Sequence, residues 1–568
     1  MERFLNILVV DANVKNQAGL KAVLSGGGNN VQVVATIEES KAIIQKKEIG
    51  IFILNIDDDF SASQQFIAQI KQEFQQRVKY ILVMSSEIDS GSKLVKSIHQ
   101  GAIDFIQMPL NPNLVKVKVD MYKTLYYKDL RINQLLNNIF PSTVLDDLYT
   151  KNGFMPRRIE KGVVLFTDFV DFSTKSKSIK PIRLLKKLDY YFTQFDAIME
   201  RYKLEKIKTI GDAYMALAGV TEENPEPAIR ACLAAIEIRN LMLNEQYVAK
   251  AFKKDFWEIR IGIHQGPLVA GIIGDSKKSF DVWGDTVNIA ARAEQGASPG
   301  LIEVSKNIYQ EVHPYFNLSS KGKIEIKKRG GQIEMFTLDR IQQAWCLYGE
   351  GKYASVDLRV KCGLPSVDFD HMRKDILNRL KSLLPAEIVY HDLSHTLNVE
   401  KAVVRYAKLE GIAEEEITLL QTAALYHDVG FIYCYDANET FAIQLATSNL
   451  PRFGYNEQQI AIVCKMIAAT QINVNPSTHL EKLMVDADHD YLGRADYYII
   501  ASRLRKELAH FGREMDDETW IEFQLKYLST IHRYHTETAT NIRLQSKKTR
   551  IHELQLQLEN CKKNENIH

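Results

Sequence analysis

Two aspartates of this chain stand at the ends of short apolar stretches, where carboxylates can gather around a metal ion. Asp168 closes the apolar run 163–167, and Asp212 follows Gly211 between two short strand-like segments. A Gly-Asp pair in that position suits a tight hairpin turn. Magnesium prefers oxygen ligands, and two carboxylates beside substrate phosphates suffice to hold it. The plainer alternative is that Asp212 shapes the turn and Asp168 caps the following helix.

A third segment places two more polar side chains on one predicted helix. Within residues 280–292, Asn288 and Arg292 are four residues apart and so share a helix face. A guanidinium suits phosphate because its planar fork donates two hydrogen bonds at once. These three segments, in this order, resemble the class III nucleotidyl cyclases, and the resemblance runs from about residue 139 to residue 338.

The resemblance implies a reaction and a role for each of these residues. In the family, the ribose 3′-hydroxyl attacks the α-phosphate in line, and pyrophosphate leaves. Asp168 and Asp212 would hold two Mg²⁺ or Mn²⁺ ions per site, which serve the attacking and the leaving oxygens. Asn288 would orient the ribose, and Arg292 would stabilise charge at the α-phosphate in the transition state.

The choice of base can be argued from hydrogen-bond donors and acceptors. Lys208 offers only donors and ionised Asp281 only acceptors, which suits N1 and N6 of adenine and opposes guanine. Polar mismatches of this kind can discriminate by ~10⁴-fold. The matching family positions carry Lys and Asp in adenylate cyclases, but typically Glu and Cys in guanylate cyclases. We therefore expect ATP as substrate and 3′,5′-cyclic AMP as product.

One position departs from the family pattern. Near the end of the domain the family carries a Lys-Gly-Lys-Gly-like turn whose second Lys reaches the triphosphate. Here the strict register places Gly330 there, preceded by Lys328 and Arg329. Either basic residue is a candidate substitute, and the sequence does not decide between them.

The resemblance also implies an assembly. Family members build their sites at a dimer interface, with the metal aspartates from one subunit and the base-reading and transition-state residues from the other. This one chain holds both sets, so a symmetric homodimer with two equivalent sites is expected.

The first 120 residues alternate apolar strand candidates with helical stretches, which favours a doubly wound parallel sheet. They resemble a response-regulator receiver domain whose chemistry is degenerate. Four positions carry this inference: Asp11 lacks a second acidic neighbour, Asn55 replaces the phosphoacceptor, Met108 replaces a lysine, and Ser85 keeps only the hydroxyl. We expect a pseudo-receiver used for dimerisation or for docking a signalling protein. A phosphorylatable receiver is the alternative.

The C-terminal part carries a second set of possible metal ligands. His395 precedes the adjacent pair His427-Asp428, and Asp488 follows, with Asp486 competing for the last place. A mixed imidazole and carboxylate set suits manganese, iron, zinc or nickel without deciding among them. The pattern resembles the HD superfamily of metal-dependent phosphohydrolases over about residues 368–543.

That resemblance implies that His395, His427, Asp428 and Asp488 bind a divalent transition metal and that the domain hydrolyses a phosphoester. Cyclic AMP or another nucleotide is a possible substrate. The alternative is that the pseudo-receiver and HD parts only bind ligands and tune the cyclase. Two further histidines, His532 and His535, are expected to pack within helices rather than to bind the metal.

Length and composition fit a multidomain protein. The chain has 568 residues, enough for three or four domains, and a formal net charge of +1. That charge indicates neither a nucleic-acid nor a membrane partner, and no apolar run approaches the ~20 residues of a membrane helix. Six cysteines without regular spacing indicate the reduced thiols of a cytoplasmic protein.

The predicted organisation has three folded parts. These are an α/β doubly wound pseudo-receiver, an α+β cyclase domain with a ferredoxin-like core, and an all-α HD domain. The predicted boundaries are 1–120 for the pseudo-receiver, 121–155 for a helical linker, 156–340 for the cyclase, 341–367 for a second linker, 368–545 for the HD domain and 546–568 for a frayed or partner-dependent tail.

Overall fold

The structure is a computed structural model. It describes residues 5–565 except 27, 74–77, 87–90, 138, 141–143, 146, 148–154, 221–224, 252, 254, 275–278, 327–330 and 473. The chain forms two compact units, one of Met1–Arg157 with Ala270–Asp281 and one of Arg158–Val269 with Val282–His568. Over the described part of the chain, no helix is both long and apolar enough to cross a membrane.

The N-terminal unit is built on a five-stranded parallel sheet with the strand order β2-β1-β3-β4-β5. Its elements are β1 (Leu5–Val10), α1 (Val14–Leu24), β2 (Asn29–Val34), α2 (Ile37–Lys46), β3 (Ile51–Asn55), α3 (Phe60–Glu73), β4 (Tyr80–Ser85), α4 (Gly91–Gln100), β5 (Asp104–Gln107) and α5 (Pro112–Asn137). Successive side chains of a strand point to opposite faces, so Ile7 and Val9 join one hydrophobic cluster while Leu8 and Val10 join another. The predicted α/β fold is present.

The four positions predicted to be those of a degenerate receiver lie at the carboxyl ends of these strands. Asn55 Nδ2 donates a hydrogen bond to Asp11 Oδ1 over 3.2 Å. Ser85 Oγ donates to Asp57 Oδ1 over 2.6 Å, so a carboxylate of the chain already engages that hydroxyl. Met108 follows β5 and packs, partly buried, against the core on one face of the sheet.

Helix α5 crosses the boundary predicted at residue 120. Val115, Val119 and Tyr126 are buried in the same cluster as the strands, and Leu130 packs against it. The predicted linker therefore begins as part of the N-terminal unit. Other apolar residues of the helix do not join this cluster and are exposed: Leu114, Val117, Met121, Leu125, Ile132 and Leu135.

The second unit opens with a mixed sheet. The strand order is β12-β13-β11-β9-β6-β8-β7, with β10 paired to β9. The strands are β6 (Arg157–Phe169), β7 (Glu205–Ile210), β8 (Ala213–Ala218), β9 (Ile259–Ile273), β10 (Ser279–Trp283), β11 (Ile302–Ser305), β12 (Phe316–Ile326) and β13 (Gly331–Ile341). The helices are α6 (Phe172–Lys175), α7 (Pro181–Arg201), α8 (Pro227–Ala251), α9 (Asp285–Gly296) and α10 (Lys306–Val312). Strands β6 and β8 are antiparallel, whereas β9 and β11 are parallel.

Residues 341–367, predicted as a second linker, pack on this part of the chain. They include helix α11 (Val356–Lys361). Leu358, Cys362 and Leu364 are buried in the same hydrophobic cluster as the strands of the mixed sheet. The segment is therefore an extension of the hydrophobic core of the mixed sheet rather than a spacer.

A region made of helices completes the second unit. Its helices are α12 (Phe369–Leu383), α13 (Leu393–Leu409), α14 (Glu414–Tyr426), α15 (Asn438–Asn449), α16 (Glu457–Ala469), α17 (His479–Asp488), α18 (Tyr497–His510), α19 (Asp517–Lys526) and α20 (Glu537–Glu565). Helix α20 crosses the boundary predicted at residue 545, and Leu554 is buried in a cluster with Trp520 and Leu528. The predicted tail is thus, up to residue 565, the end of one packed helix.

Buried charges join the mixed sheet and the helical region within the second unit. Arg201, the last residue of α7, pairs with Glu237 of α8. Arg452 Nε lies 3.4 Å from Glu237 Oε1, and the Arg201 guanidinium lies 4.9 Å from the centre of the Phe453 ring. Removing one partner of such a buried pair leaves an uncompensated charge, so loss of Arg201 or Glu237 is expected to destabilise the junction.

Candidate active sites

The two cyclase aspartates come together through strand pairing. Asp168 is the last but one residue of β6, and β6 pairs with β8 so that Thr167 faces Tyr214. Asp212 sits in the turn that leads into β8, where Gly211 adopts a positive φ of 64° that favours glycine. Burial, and then the neighbouring Asp168, raise the pKa of the Asp212 carboxyl to about 6. Two carboxylates this close fit a divalent cation, which would relieve their repulsion.

A guanidinium and a third carboxylate complete this cluster, and the sequence analysis missed both. Arg260 of β9 donates from Nη2 to Asp168 Oδ2 over 2.7 Å, and its Nε lies 3.1 Å from Glu294 Oε1 of α9. Burial, and then the charge of Asp168, raise the pKa of Glu294 to about 7. No motif pointed to Arg260. The only signal was an arginine near the start of a mostly apolar strand.

The remaining predicted cyclase residues lie on α9, β7 and β10. Asn288 and Arg292 share one face of α9, with Asn288 exposed and Arg292 half-buried. Lys208 lies on β7 beside an irregularity in its pairing with β8, and Asp281 lies on β10. Lys208 and Asp281 belong to different compact units. Lys328 and Arg329, the two candidates for the remaining triphosphate contact, lie outside the described residues.

Helix α9 is seated directly on β9. A Cβ atom added to Gly262 of β9 would lie 2.0 Å from the backbone nitrogen of Glu294, so only glycine allows this approach. Thr286 Oγ1, in the first turn of the helix, donates to the Pro267 carbonyl over 2.7 Å. These contacts fix the helix that carries Asn288 and Arg292 against the sheet that carries Asp168.

The predicted HD residues converge from three helices. His395 lies on α13, His427 and Asp428 follow the end of α14, and Asp488 ends α17. His395 Nε2 lies 3.1 Å from Asp488 Oδ1 and 3.3 Å from Asp428 Oδ2. His427 Nε2 lies 3.1 Å from Asp428 Oδ2. His395, His427 and Asp488 together could hold a metal ion.

Protonation in this cluster follows from its charges. Burial alone lowers the pKa of His395, but hydrogen bonds to Asp428 and Asp488 raise it to about 9. Burial tends to raise the pKa of Asp428, yet the neighbouring His427 holds it well below its usual range. His427 Nδ1 donates to the Ala424 carbonyl over 2.8 Å, which turns Nε2 toward the cluster. Two imidazoles and two carboxylates with this geometry fit a divalent transition metal.

Asp486, the competitor for the last ligand position, is engaged elsewhere. Its carboxylate accepts hydrogen bonds from the backbone nitrogens of His535 and Thr536 and from the Thr536 hydroxyl, at 2.7–3.1 Å. It therefore fixes the start of α20. His532 is buried and hydrogen-bonded to Lys547, which agrees with a packing role.

A cavity of about 610 Å³ opens beside the HD cluster. Asp428, Asp488, Glu439 and His391 line it, and several aromatic side chains complete its wall. His391 Nδ1 lies 2.5 Å from Oε1 of Glu507, whose other oxygen accepts from the His391 backbone nitrogen over 3.2 Å. Glu507 is fully buried, so His391 is held firmly at the cavity wall. The sequence analysis named neither residue.

Two family models match this chain. Residues 154–340 match the adenylate and guanylate cyclase catalytic domain, and residues 392–491 match the HD domain. An adenylate cyclase of Mycobacterium tuberculosis is 30% identical over 220 residues, which cover 39% of this chain and 46% of that protein. The receptor-type guanylate cyclase gcy-23 of Caenorhabditis elegans is 29% identical over 222 residues, covering 38% and 20%. The chain thus spans less than half of either relative.

Solved structures show the same similarity. One is the catalytic core of a rhodopsin-guanylyl cyclase with converted specificity, in complex with ATPalphaS. It is 31% identical to this chain, with a TM-score of 0.30, and the match covers 32% of this chain and 97% of the solved chain. The adenylyl cyclase CyaB from P. aeruginosa is 26% identical, with a TM-score of 0.31 over 33% and 96%. From the two family models, the chain contains an adenylate and guanylate cyclase catalytic domain followed by an HD domain.

Proposed function

We propose that the cyclase domain converts ATP to 3′,5′-cyclic AMP and pyrophosphate, at sites shared between two copies of the chain. The observation that carries the proposal is the adjacent pair Asp168 and Asp212 at the ends of paired strands. Helix α9, with Asn288 and Arg292, is seated on the same sheet. Carboxylates, an amide and a guanidinium are the groups that metal-dependent attack on a triphosphate requires.

Each residue has a distinct task in this reaction. Mg²⁺ or Mn²⁺, when bound, supplies positive charge for the attacking and leaving oxygens. Asp168 and Asp212 would hold two such ions at each site. Asn288 would hold the ribose in line for attack, and Arg292 would donate two hydrogen bonds to the α-phosphate as its charge develops.

The preference for ATP rests on Lys208 and Asp281. Sequence similarity over the whole domain does not indicate whether the substrate is ATP or GTP, because an adenylate cyclase and a guanylate cyclase match this chain at 30% and 29% identity. A Lys that only donates and an Asp that only accepts complement adenine and leave guanine with unpaired polar groups. The base-reading pair therefore favours ATP.

The direct test is to incubate the purified full-length protein with ATP or GTP and Mg²⁺ or Mn²⁺, and to separate the products. We expect cyclic AMP, with much slower turnover of GTP. Asp168→Asn should abolish the product, because a neutral amide is a poor ligand for Mg²⁺. The matched control is Asp171→Asn, three residues along the chain, and it should retain activity.

A second activity, hydrolysis of a phosphoester by the HD domain, is favoured by the cavity beside its four predicted ligands. Asp428 and Asp488 reach that cavity from the cluster, and His391 faces it from another side. His391 would supply a proton to a leaving oxygen, and Glu507 would orient its ring. Incubation with Mn²⁺ and cyclic AMP, and then with other nucleotides, tests this activity. His427→Ala should lose both the metal and the hydrolysis.

The alternative is that the pseudo-receiver and HD parts bind ligands and tune the cyclase without catalysis. The buried junction of Arg201, Glu237 and Arg452 favours such coupling, because Arg201 ends the helix that leads into β7. Binding of cyclic AMP to metal-loaded protein, with altered cyclase turnover but no hydrolysis, would support this alternative. A signalling protein that docks on the pseudo-receiver remains a prediction.

A further inference from the structure

Strand β7, which carries the proposed base-reading residue Lys208, contains one residue more than a regular pairing with β8 requires. Lys206 pairs with Ala216 and Lys208 pairs with Met215, so Ile207 is an extra residue between the two pairs. One extra residue in one strand of an antiparallel pair is a β-bulge, which bends the strand and redirects its side chains. The bulge therefore lies immediately before the residue that would select the nucleotide.

The bulge sends the two lysines of β7 to opposite faces of the sheet. Residues two apart in a regular strand share a face, but the partners Ala216 and Met215 are neighbours in β8 and point to opposite faces. Met215 also pairs with the residue of β6 that lies two positions before Asp168. Lys208 therefore lies on the same face as the proposed metal ligand Asp168. Lys206 lies on the other face, where Ala216 shares a hydrophobic cluster with residues of α7.

Asp196 of α7 holds Lys206 on that second face. Lys206 Nζ lies 2.8 Å from Asp196 Oδ2, and the hydroxyl of Tyr214 in β8 donates to Asp196 Oδ1 over 2.7 Å. The Lys206 ammonium also lies 5.3 Å from the centre of the Tyr214 ring. One carboxylate thus ties both strands of the hairpin to α7.

The bond from the hydroxyl is the stronger of these two ties. The Lys206 and Asp196 side chains are 40% and 45% exposed, and a surface ion pair of this kind stabilises little by itself. Tyr214 is fully buried, and a buried hydroxyl without an acceptor is costly. Tyr214 therefore fixes the Asp196 carboxylate, and the fixed carboxylate then determines where Lys206 and the bulge lie.

We propose that Asp196 is a positioning residue for nucleotide selection, which directs Lys208 toward the adenine base by holding the bulge of β7. The hairpin turn fixes the other end of the strand, because Ile210 pairs with Ala213. Lys208 is two residues from Lys206 and two from Ile210, so loosening either anchor shifts its ammonium relative to the base. This inference rests on the proposed function of Lys208 as a base-reading residue.

The test compares kcat/KM for ATP and for GTP in full-length proteins that all carry His427→Ala, so that the HD domain does not consume the product. Asp196→Asn removes the charge that holds Lys206 but leaves an oxygen for the Tyr214 hydroxyl. We expect kcat/KM for ATP to fall about tenfold, less than the ~10²-fold of a ~1 Å misplacement, while the value for GTP stays unchanged. The loss should appear in KM, because a contact to the base is made before as well as during the reaction.

A second comparison separates positioning from a merely structural role. In Lys208→Ala, which lacks the side chain to be positioned, Asp196→Asn should change kcat/KM for ATP no further. Lys206→Met should reproduce the effect of Asp196→Asn, because it breaks the same ion pair at an exposed side chain. Asp189→Asn is the matched control, since Asp189 lies exposed two turns earlier on α7. It should keep the parent preference for ATP.

The positioning role and the proposed function would fail in different ways. If Lys208→Ala keeps the parent preference for ATP, Lys208 does not read the base, and the proposed function loses its base assignment. If Lys208→Ala loses that preference but Asp196→Asn keeps it and unfolds at the parent temperature, the positioning role is wrong. An equal loss from Asp196→Asn with and without Lys208 would show that Asp196 is only structural. If Asp196→Asn does not fold, Lys206→Met decides between the same outcomes.

Discussion

Replacing Gly262 with alanine should disable the cyclase site through the backbone, without changing any side chain that faces substrate. The new Cβ would lie 2.0 Å from the backbone nitrogen of Glu294 and 2.6 Å from the Ala290 carbonyl oxygen. Both atoms belong to the backbone of α9, so no side chain can turn away to relieve the clash. The helix must retreat from β9 by roughly 1 Å or more to restore ordinary packing.

The size of the effect follows from that displacement. Overpacking of a close-packed core commonly costs about 1–3 kcal/mol of the free energy of unfolding. A misplacement of ~1 Å can lower turnover by ~10²-fold, and α9 carries Asn288 and Arg292. We therefore expect Gly262→Ala to lose ~10²-fold in cyclase turnover while the HD domain keeps its metal.

The assay compares cyclic AMP formation, thermal unfolding and metal content in two variants. Gly296→Ala is the matched control, because a Cβ at this last residue of α9 would meet nothing within 4 Å. It should retain activity. Wild-type turnover and an unchanged unfolding temperature in Gly262→Ala would show that the helix does not rest on β9 as described.

Four further predictions address the two sites. Lys208→Glu should sharply depress ATP turnover, and adding Asp281→Cys should relax selectivity toward GTP; unchanged ATP preference in the double variant would refute the base assignment. Asp212→Ala and Arg292→Ala should each be nearly inactive, and mixing them should recover up to about a quarter of wild-type activity, because one site in half of the dimers is intact. Mixed dimers that form without activity would place the site within one subunit. His427→Ala should lose the HD metal, measured by atomic absorption, yet keep cyclase turnover; retention of the metal would refute the ligand assignment. Because the pKa of Asp212 is raised to about 6, protons compete with the ion below that pH. In the His427→Ala background, the affinity for Mn²⁺ should fall by about tenfold for each pH unit below the pKa of Asp212 and stay constant at higher pH. An affinity that does not change with pH would contradict the assignment of Asp212 as a metal ligand.

The motif residues could be predicted from the sequence because the expected chemistry dictates both residue type and spacing. Asp168 and Asp212 are adjacent because the strand that carries Asp168 pairs with the strand that follows the hairpin turn of Asp212. Both elements can be predicted locally, the strand from its apolar run and the turn from its Gly-Asp pair. His395 and Asp488 are 93 residues apart, yet their side chains meet as the resemblance implied. Where the chemistry of a ligand limits the residue types that can bind it, candidate binding residues can be predicted before the fold is known.

Other features depend on tertiary packing and were out of reach. Arg260 and Glu294 meet only because β9 lies beside β6 and under α9. A single sequence does not show whether a helix packs on its own domain or continues as a linker, so the boundary within α5 was misplaced. The tail was predicted to fray because it is rich in polar and charged residues, yet Leu554 of α20 is buried. Asp486 and Asp488 look equivalent in sequence, and only the start of α20 reveals that Asp486 is engaged there.

The central claim is that this chain cyclises ATP with Asp168 and Asp212 as its metal ligands. The most direct measurement is product analysis after incubating the pure His427→Ala protein, whose HD domain should not hydrolyse the product, with equal ATP and GTP in the presence of Mn²⁺. The account predicts cyclic AMP and pyrophosphate in equal amounts, little cyclic GMP, and no cyclic product from Asp168→Asn that unfolds at the wild-type temperature. Comparable cyclic GMP, or cyclic AMP formed at the wild-type rate by Asp168→Asn, would contradict it.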